Sequence, residues 1–447
     1  MHVCRLLLLA IACAFAVCSA KAQQAAYVPV ALANQSQSDP YAIMPGSLAS
    51  GFGGDWILGG DPGSVQNAAL LRNRKIRPLS NIFANRNVNP NRGWISAEWL
   101  LWDVDGMDVP PLVTSSPAGT PQNEAAFLGG TGTNVLFGNG ELGGGTANGF
   151  RGNIGFWVTP QQTFAIEGEY FRLADQDDQF RGSSDGTTIL GRPFFDIVAG
   201  RETAQLVSFP NLAAGSIAID AETSLQSAIV NIRAALCPTH GNCNCQQQDR
   251  IDWILGYRYL QLEDQLDIRE NITSLLPAAP GTIGLRDQFN TKNQFNGLQL
   301  GLIHRASFQR GYLESTLRVA VGNNDQEVLI NGYTDITEAG LTDRFTGGLL
   351  AQRSNIGRFQ RDEFMMIPEI GFKLGIQITP RLSATAGYSA LYFPNVVRAG
   401  DQIDLDLNPN LVAPEVDPFA GPLRPRFRFN ESDYWAHGLS LGGLLNF

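Results

Sequence analysis

Residues 364–393 read FMMIPEIGFKLGIQI, then Thr379-Pro380-Arg381, then LSATAGYSALYF. In the first arm Phe364, Met366, Pro368, Ile370, Phe372, Leu374, Ile376 and Ile378 share one parity, while Glu369, Lys373 and Gln377 hold the other. In the second arm Leu382, Ala384, Ala386, Tyr388, Ala390 and Tyr392 oppose Ser383, Thr385, Gly387 and Ser389. A period of two is that of a strand, whose successive side chains point to opposite faces. The three residues between the arms make a tight turn. The stretch therefore reads as an antiparallel hairpin with one apolar face.

Working outward, ten such segments follow one another: 92–102, 149–158, 162–172, 223–234, 251–262, 295–306, 311–322, 364–378, 382–393 and 434–447. The gaps alternate. Long ones cover 103–148, 173–222, 263–294, 323–363 and 394–433. Short ones cover 159–161, 235–250, 307–310 and 379–381. Long loops on one side and short turns on the other are the pattern of an outer-membrane barrel. An apolar face that meets lipid also requires closure, because unpaired backbone edges find no water there. The expected fold is all-β: a closed antiparallel transmembrane β-barrel of about 10 strands, with 8–14 compatible with the pattern. The last strand alternates and ends in Phe447, with Trp435, Leu439, Leu441, Leu445 and Phe447 on one parity. Such an ending suits recognition by the barrel-assembly machinery. Trp94, Trp99, Trp157, Trp253, Tyr392 and Trp435 lie near strand ends and are expected to form interface girdles.

Composition agrees. Of 447 residues 44 % are hydrophobic and 17 % charged, with 48 glycines and 24 prolines. Beyond the first twenty residues no apolar run reaches the roughly 18 that a spanning helix needs, which excludes a helical membrane protein. The net charge of −10 argues against nucleic acid as a partner.

Residues 1–22 carry Arg5, an apolar run from Leu6 to Val17 and the small-x-small site Ala20-Lys21-Ala22, the three parts of a secretory signal. Residues 23–91 read as a flexible low-complexity leader whose one basic run, Arg72 to Arg77, is that of a solvated linker. Residues 92–447 form the barrel domain. Export to the bacterial outer membrane follows, with outer-membrane lipid as the surrounding partner. Of six cysteines, three leave with the signal. Cys237, Cys243 and Cys245 remain as disulfide candidates: one bridge with a spare thiol, no bond, or a metal site with His240 are all open.

On the parity assigned here the inward face carries Glu98, Glu167, Glu169, Asp252, Glu314 and Glu369, against Arg151, Arg233, Arg258, Arg305, Arg318 and Lys373. Buried charges persist only when paired, so these lumen-lining charges are expected to form ion pairs that either seal the bore or leave a thin path. No serine–histidine–acid set is visible, since His304 and His437 take the outward parity, and no enzymatic activity is expected. Asp103, Asp105 and Asp108 surround Gly106 but lack the glutamate of a calcium loop. They read as an acidic loop, as do Asp177-Asp178 and Asp401 with Asp404. No metal and no cofactor are expected.

Five stretches resemble an outer-membrane beta-barrel porin family, the seventh of the beta-barrel porin families. They are WISAEWLLW (94–102), GFRGNIGFW (149–157), GYRYLQLEDQLDI (256–268), DQFNTKNQFNG (287–297) and AGYSALYFPNVVRAGDQI (386–403). The resemblance runs in order over about 92–447 and implies a porin, without catalytic or binding residues to carry across. The expected function is passive diffusion of small polar solutes or ions through a narrow charge-lined lumen. The alternative is a non-conducting structural or surface-display barrel whose long loops bind envelope or extracellular partners. The sequence leaves the oligomeric state open.

Overall fold

The computed structural model describes residues 92–236, 249–415, 418 and 420–447. The signal segment 1–22, the leader 23–91 and the cysteine cluster with His240 lie outside the described residues. Ten strands make the wall: β1 (Gly93–Val104), β2 (Gly145–Trp157), β3 (Phe164–Leu173), β4 (Ala213–Ala235), β5 (Asp249–Ser274), β6 (Gly281–Phe308), β7 (Gly311–Glu338), β8 (Gly357–Gln377), β9 (Leu382–Val396) and β10 (Ser432–Asn446). Each pairs antiparallel with its neighbours in sequence order. β10 closes on β1 from Trp94 opposite Asn446 to Val104 opposite Ala436. The closure is tied at the chain end, where Phe447 accepts from the Arg92 and Gly93 amides at 2.7 Å each. No backbone edge is left in the ladder at this level, as lipid demands.

The outward face of the lower wall is apolar. Trp99, Ile154, Phe372 and Leu441 are 58, 57, 46 and 55 % exposed. The wall is uneven in height. β4 to β7 run 23 to 28 residues, whereas β1, β2, β3, β9 and β10 run 10 to 15. At a rise of about 3.3 Å per residue, β6 is roughly 90 Å long, far beyond the 9–11 residues that cross a bilayer. The tall side therefore stands above the membrane.

This corrects two loops expected from the sequence. The gap 263–294 is mostly strand, with only 275–280 connecting β5 to β6, and much of 323–363 belongs to β7 and β8. The reason is an inversion of polarity. In lipid β5 shows Leu255 and Tyr257 outward. Above it Leu260, Leu262, Leu266 and Ile268, of the opposite parity, are buried inside while Glu263 and Asp267 face water. An alternation whose apolar set changes parity reads as a loop when one apolar face is sought throughout.

Gln176–Ser184 and Leu341–Thr346 pair with the upper parts of β4 and β7 and extend the tall wall at its edges, and other loop segments fill its concave side. Ile189–Asp196, Arg201–Ser208, Val113–Ser116 and Asn134–Phe137 form a small sheet, with Asp406–Leu407 parallel on its first member. Its apolar side packs on inward residues of the tall wall such as Ile219, Leu266, Phe289 and Ile330.

The lipid-facing assignment has a direct consequence. Leu441→Arg, which puts a cation in the apolar band, is expected to destabilise the refolded barrel by about 2–4 kcal/mol. Gln265→Arg, on the same outer surface but above it, is expected to change little. Urea titration in lipid vesicles measures both.

Candidate functional site: the barrel interior

The inward face of the lower wall holds three successive layers. The first, at the short-turn end, is a cavity of about 270 Å³, lined among others by Trp94, Trp157, Glu167, Arg233, Arg250, Arg305, Tyr312, Glu314 and Lys373. Trp94 and Trp157 meet here in a tilted contact, ring centres 5.3 Å apart, and are each 9 % exposed. They do not serve the lipid girdle expected of them. Trp94 shares parity with Glu98 and Trp157 with Arg151, so both rings must turn inward. Gly155 makes room: a Cβ there would stand 2.0 Å from the Trp94 ring. Of the other expected girdle members, Trp99 and Trp435 do face outward.

The second layer is charged and overlaps the first, since Glu98, Glu169 and Arg318 also line the cavity. Some ion pairs join neighbouring strands. Arg233 meets Asp252 at 2.6 Å, Arg305 meets Glu314 at 2.6 Å, and Arg151 approaches Glu98 at 3.6 Å. Others cross the bore. Arg258 on β5 donates to Glu369 on β8 at 2.6 Å. Arg318 on β7 makes a bidentate pair with Glu169 on β3 at 2.8 and 3.1 Å. Lys373 on β8 reaches Glu98 on β1. Glu167 approaches Arg233 at 3.8 Å and accepts from Asn231 at 3.1 Å. All twelve charged residues named from the sequence thus lie inside and engage one another. Sequence reasoning missed Arg250, which reaches Asp252 at 2.8 Å and lies 4.3 Å over the Trp157 ring. Its parity with Asp252 was the available signal.

The third layer is apolar and complete. Every strand contributes: Leu100, Ala147, Phe171, Leu225, Leu260, Phe295, Ala320, Ile367, Leu391 and Tyr434, in order from β1 to β10, are buried in one cluster. On five strands the layer begins at the next inward position after a charge: Leu100 after Glu98, Phe171 after Glu169, Leu260 after Arg258, Ala320 after Arg318, and Ile367 beside Glu369. Arg151 lies against this floor, 5.2 Å from the Trp102 ring.

Above the apolar layer the loops are bolted to the tall wall. Arg398, 1 % exposed, donates to Asp264 at 2.6 and 3.2 Å and to the Gly106 carbonyl at 3.0 Å. Burial alone lowers its pKa, but the Asp264 carboxylate outweighs that and holds it above the ordinary arginine value. Arg192 reaches from the loop sheet to Glu270 and, at 2.7 Å, to Asp287. Asn293 on β6 exchanges hydrogen bonds with Val397 at 2.8 and 2.9 Å. The acidic loops have protein partners too. Asp105 accepts from the Trp435 amide at 2.9 Å, Asp178 from Gly143 at 2.7 Å, and Asp404 from Arg424 at 3.0 Å. Among the described residues no group of three or more His, Cys, Asp or Glu could hold a metal. His437 lies on the outer face, bonded to Tyr388 at 3.0 Å. His304 lies between Ile303 and Arg305, which line the cavity, and so takes the outer parity.

Residues 94–447 match the model of the family described as "Putative beta barrel porin-7 (BBP7)", and the chain belongs to that family. It is an outer-membrane β-barrel. No curated protein matches it. Among solved structures it is similar to the outer-membrane protease OmpT of Escherichia coli, with 8 % identity over 81 % of this chain and 99 % of that one and a TM-score of 0.36. It is also similar to the translocator domain of the autotransporter NalP of Neisseria meningitidis (7 %, 85 and 96 %, 0.21). A FadL homologue of Pseudomonas aeruginosa is similar at 11 %, 80 and 91 %, and 0.21.

The charged layer makes its own test. Arg258→Met leaves the Glu369 carboxylate without its shortest partner and is expected to cost about 3–5 kcal/mol. The double variant Arg258→Met/Glu369→Met removes both charges and is expected to cost less than the single one. Chemical denaturation of the refolded barrel separates these outcomes.

Proposed function

We propose that this barrel is sealed, and that it works by holding an ordered platform of loops above the outer membrane rather than by passing solutes. The observation that carries this reading is the apolar layer to which all ten strands contribute. An ion crossing it would shed its hydration without gaining a partner, at a cost of several kcal/mol or more, and a narrow apolar constriction excludes water as well. Ten strands lie near the size at which side chains just fill the interior. The ion pairs that cross the bore support the same reading. In it the twelve inward charges hold the wall together and do not select solutes. No catalytic role is assigned to any residue. The platform, tied down through Arg398, Arg192 and Asn293, is the surface offered to envelope or extracellular partners.

The second reading, a porin for small polar solutes, draws on the polar cavity of about 270 Å³ at the short-turn end. It requires the apolar layer above the cavity to part. Export by a cleavable segment 1–22, and delivery of the Phe447-ended β10 to the barrel-assembly machinery, complete the proposal.

Planar-bilayer recording of the full chain, refolded and shown by protease protection to be inserted, decides between the two. A silent membrane is expected. Steady steps proportional to salt would overturn the sealed reading and establish a water-filled path.

A further inference from the structure

The short-turn rim carries three arginines that the interior does not use. Arg92, Arg310 and Arg381 are all exposed. Backbone hydrogen bonds place them at consecutive junctions of the rim. The Arg310 carbonyl accepts from Gln377 at 2.9 Å, the Arg381 carbonyl from Asn446 at 2.8 Å, and the Arg92 amide donates to Phe447 at 2.7 Å. Neighbouring junctions are two strands apart, so the three residues follow one another at about 10 Å. No side-chain carboxylate occurs in 92–97, 306–313, 377–384 or 444–447. The Phe447 α-carboxylate beside Arg92 is the one negative group in those segments, so the arc keeps a net positive charge, on a chain whose net charge is −10.

Its level relative to the bilayer is set by its neighbours. Phe308, Ile378 and Phe447 are 52, 63 and 53 % exposed, and each lies within three residues of one of the arginines or is hydrogen-bonded to it. Side chains this apolar on the outer wall belong in hydrocarbon, which puts the three guanidinium groups at the height of the headgroups. We propose that this arc, running from the β6–β7 turn round to the start of β1, binds the phosphates of anionic phospholipid in the periplasmic leaflet, and so fixes the barrel's depth along that part of the rim. Guanidinium groups match a phosphate by paired donors as well as by charge. The inference rests on the outer-membrane location and is independent of whether the bore conducts.

The test is lipid retention by the full chain refolded in mixed micelles of phosphatidylglycerol and phosphatidylcholine. Preferential retention of phosphatidylglycerol, weakened by salt, is expected. Each of Arg92→Gln, Arg310→Gln and Arg381→Gln is expected to reduce the preference about fivefold, and the triple variant roughly a hundredfold. Arg426→Gln/Arg428→Gln, exposed on the loop side, is expected to leave it unchanged. Heat-resistant migration of the folded barrel reports folding, and the single variants keep the test open if the triple variant does not fold. A wild-type chain without preference, or a rim variant that keeps it, overturns the proposal. So does a loop-side variant that loses it. Displacement of the lipid by inorganic phosphate at equal phosphorus would assign the arc to free phosphate instead.

Discussion

The backbone of a chain in lipid has nowhere to place an unpaired amide, and closure of the ladder is the constraint from which the rest of this structure follows. Pairing of β10 with β1, finished by the Phe447 contacts to Arg92 and Gly93, leaves ten strands around one bore. A bore that narrow brings facing side chains within reach of each other. Glutamate and arginine pointing inward from opposite walls therefore meet directly, as Arg318 meets Glu169 and Arg258 meets Glu369. A wider barrel would leave the same residues hydrated and apart.

Much of this was legible in the sequence. Alternation in 364–378 and 382–393 was uninterrupted because both segments stay largely within the band where outward means lipid. The twelve inward charges could be named from parity alone, since parity is conserved along a strand. The extension above the membrane was not legible, and the cause is physical. There, outward means water, so the apolar residues of β5 change from Leu255 and Tyr257 to Leu262 and Leu266 without any break in the strand. Trp94 and Trp157 lie near strand ends, where an interface girdle is expected, but their parity with Glu98 and Arg151 turns both rings inward. The loop sheet rests on contacts between residues far apart in sequence, such as Arg192 with Glu270 and Asp287, and no local pattern announces them.

The unequal wall gives the loops a place to fold. A loop above an even barrel would have water on every side and little apolar surface to bury. Here β4 to β7 present an apolar concave face for much of their height above the bilayer, and the loops from the low side lie against it. Several buried polar groups at that contact are met individually: Arg398 by Asp264, Val397 by Asn293, and the Leu350 and Ala351 amides by Asp287 at 3.1 and 2.9 Å. The loops are thus held by inward residues of the tall wall.

Register explains why the lower interior is charged while the layer above it is apolar. A strand slipped by one residue exchanges its two faces. In the lower wall, where the outside is lipid, an apolar interior would make the exchanged state nearly as good as the native one. Glu98, Arg151 and Glu369 prevent this, because a slip would carry them into hydrocarbon at about 2–4 kcal/mol for each arginine near the midplane. Above the membrane the penalty reverses: there a slip would drive Glu263 and Asp267 inward and expose Leu262 and Leu266. The inversion of polarity that hid the extension from a simple reading therefore holds the long strands to one register along their whole length. It also marks, on each tall strand, the height at which lipid gives way to water.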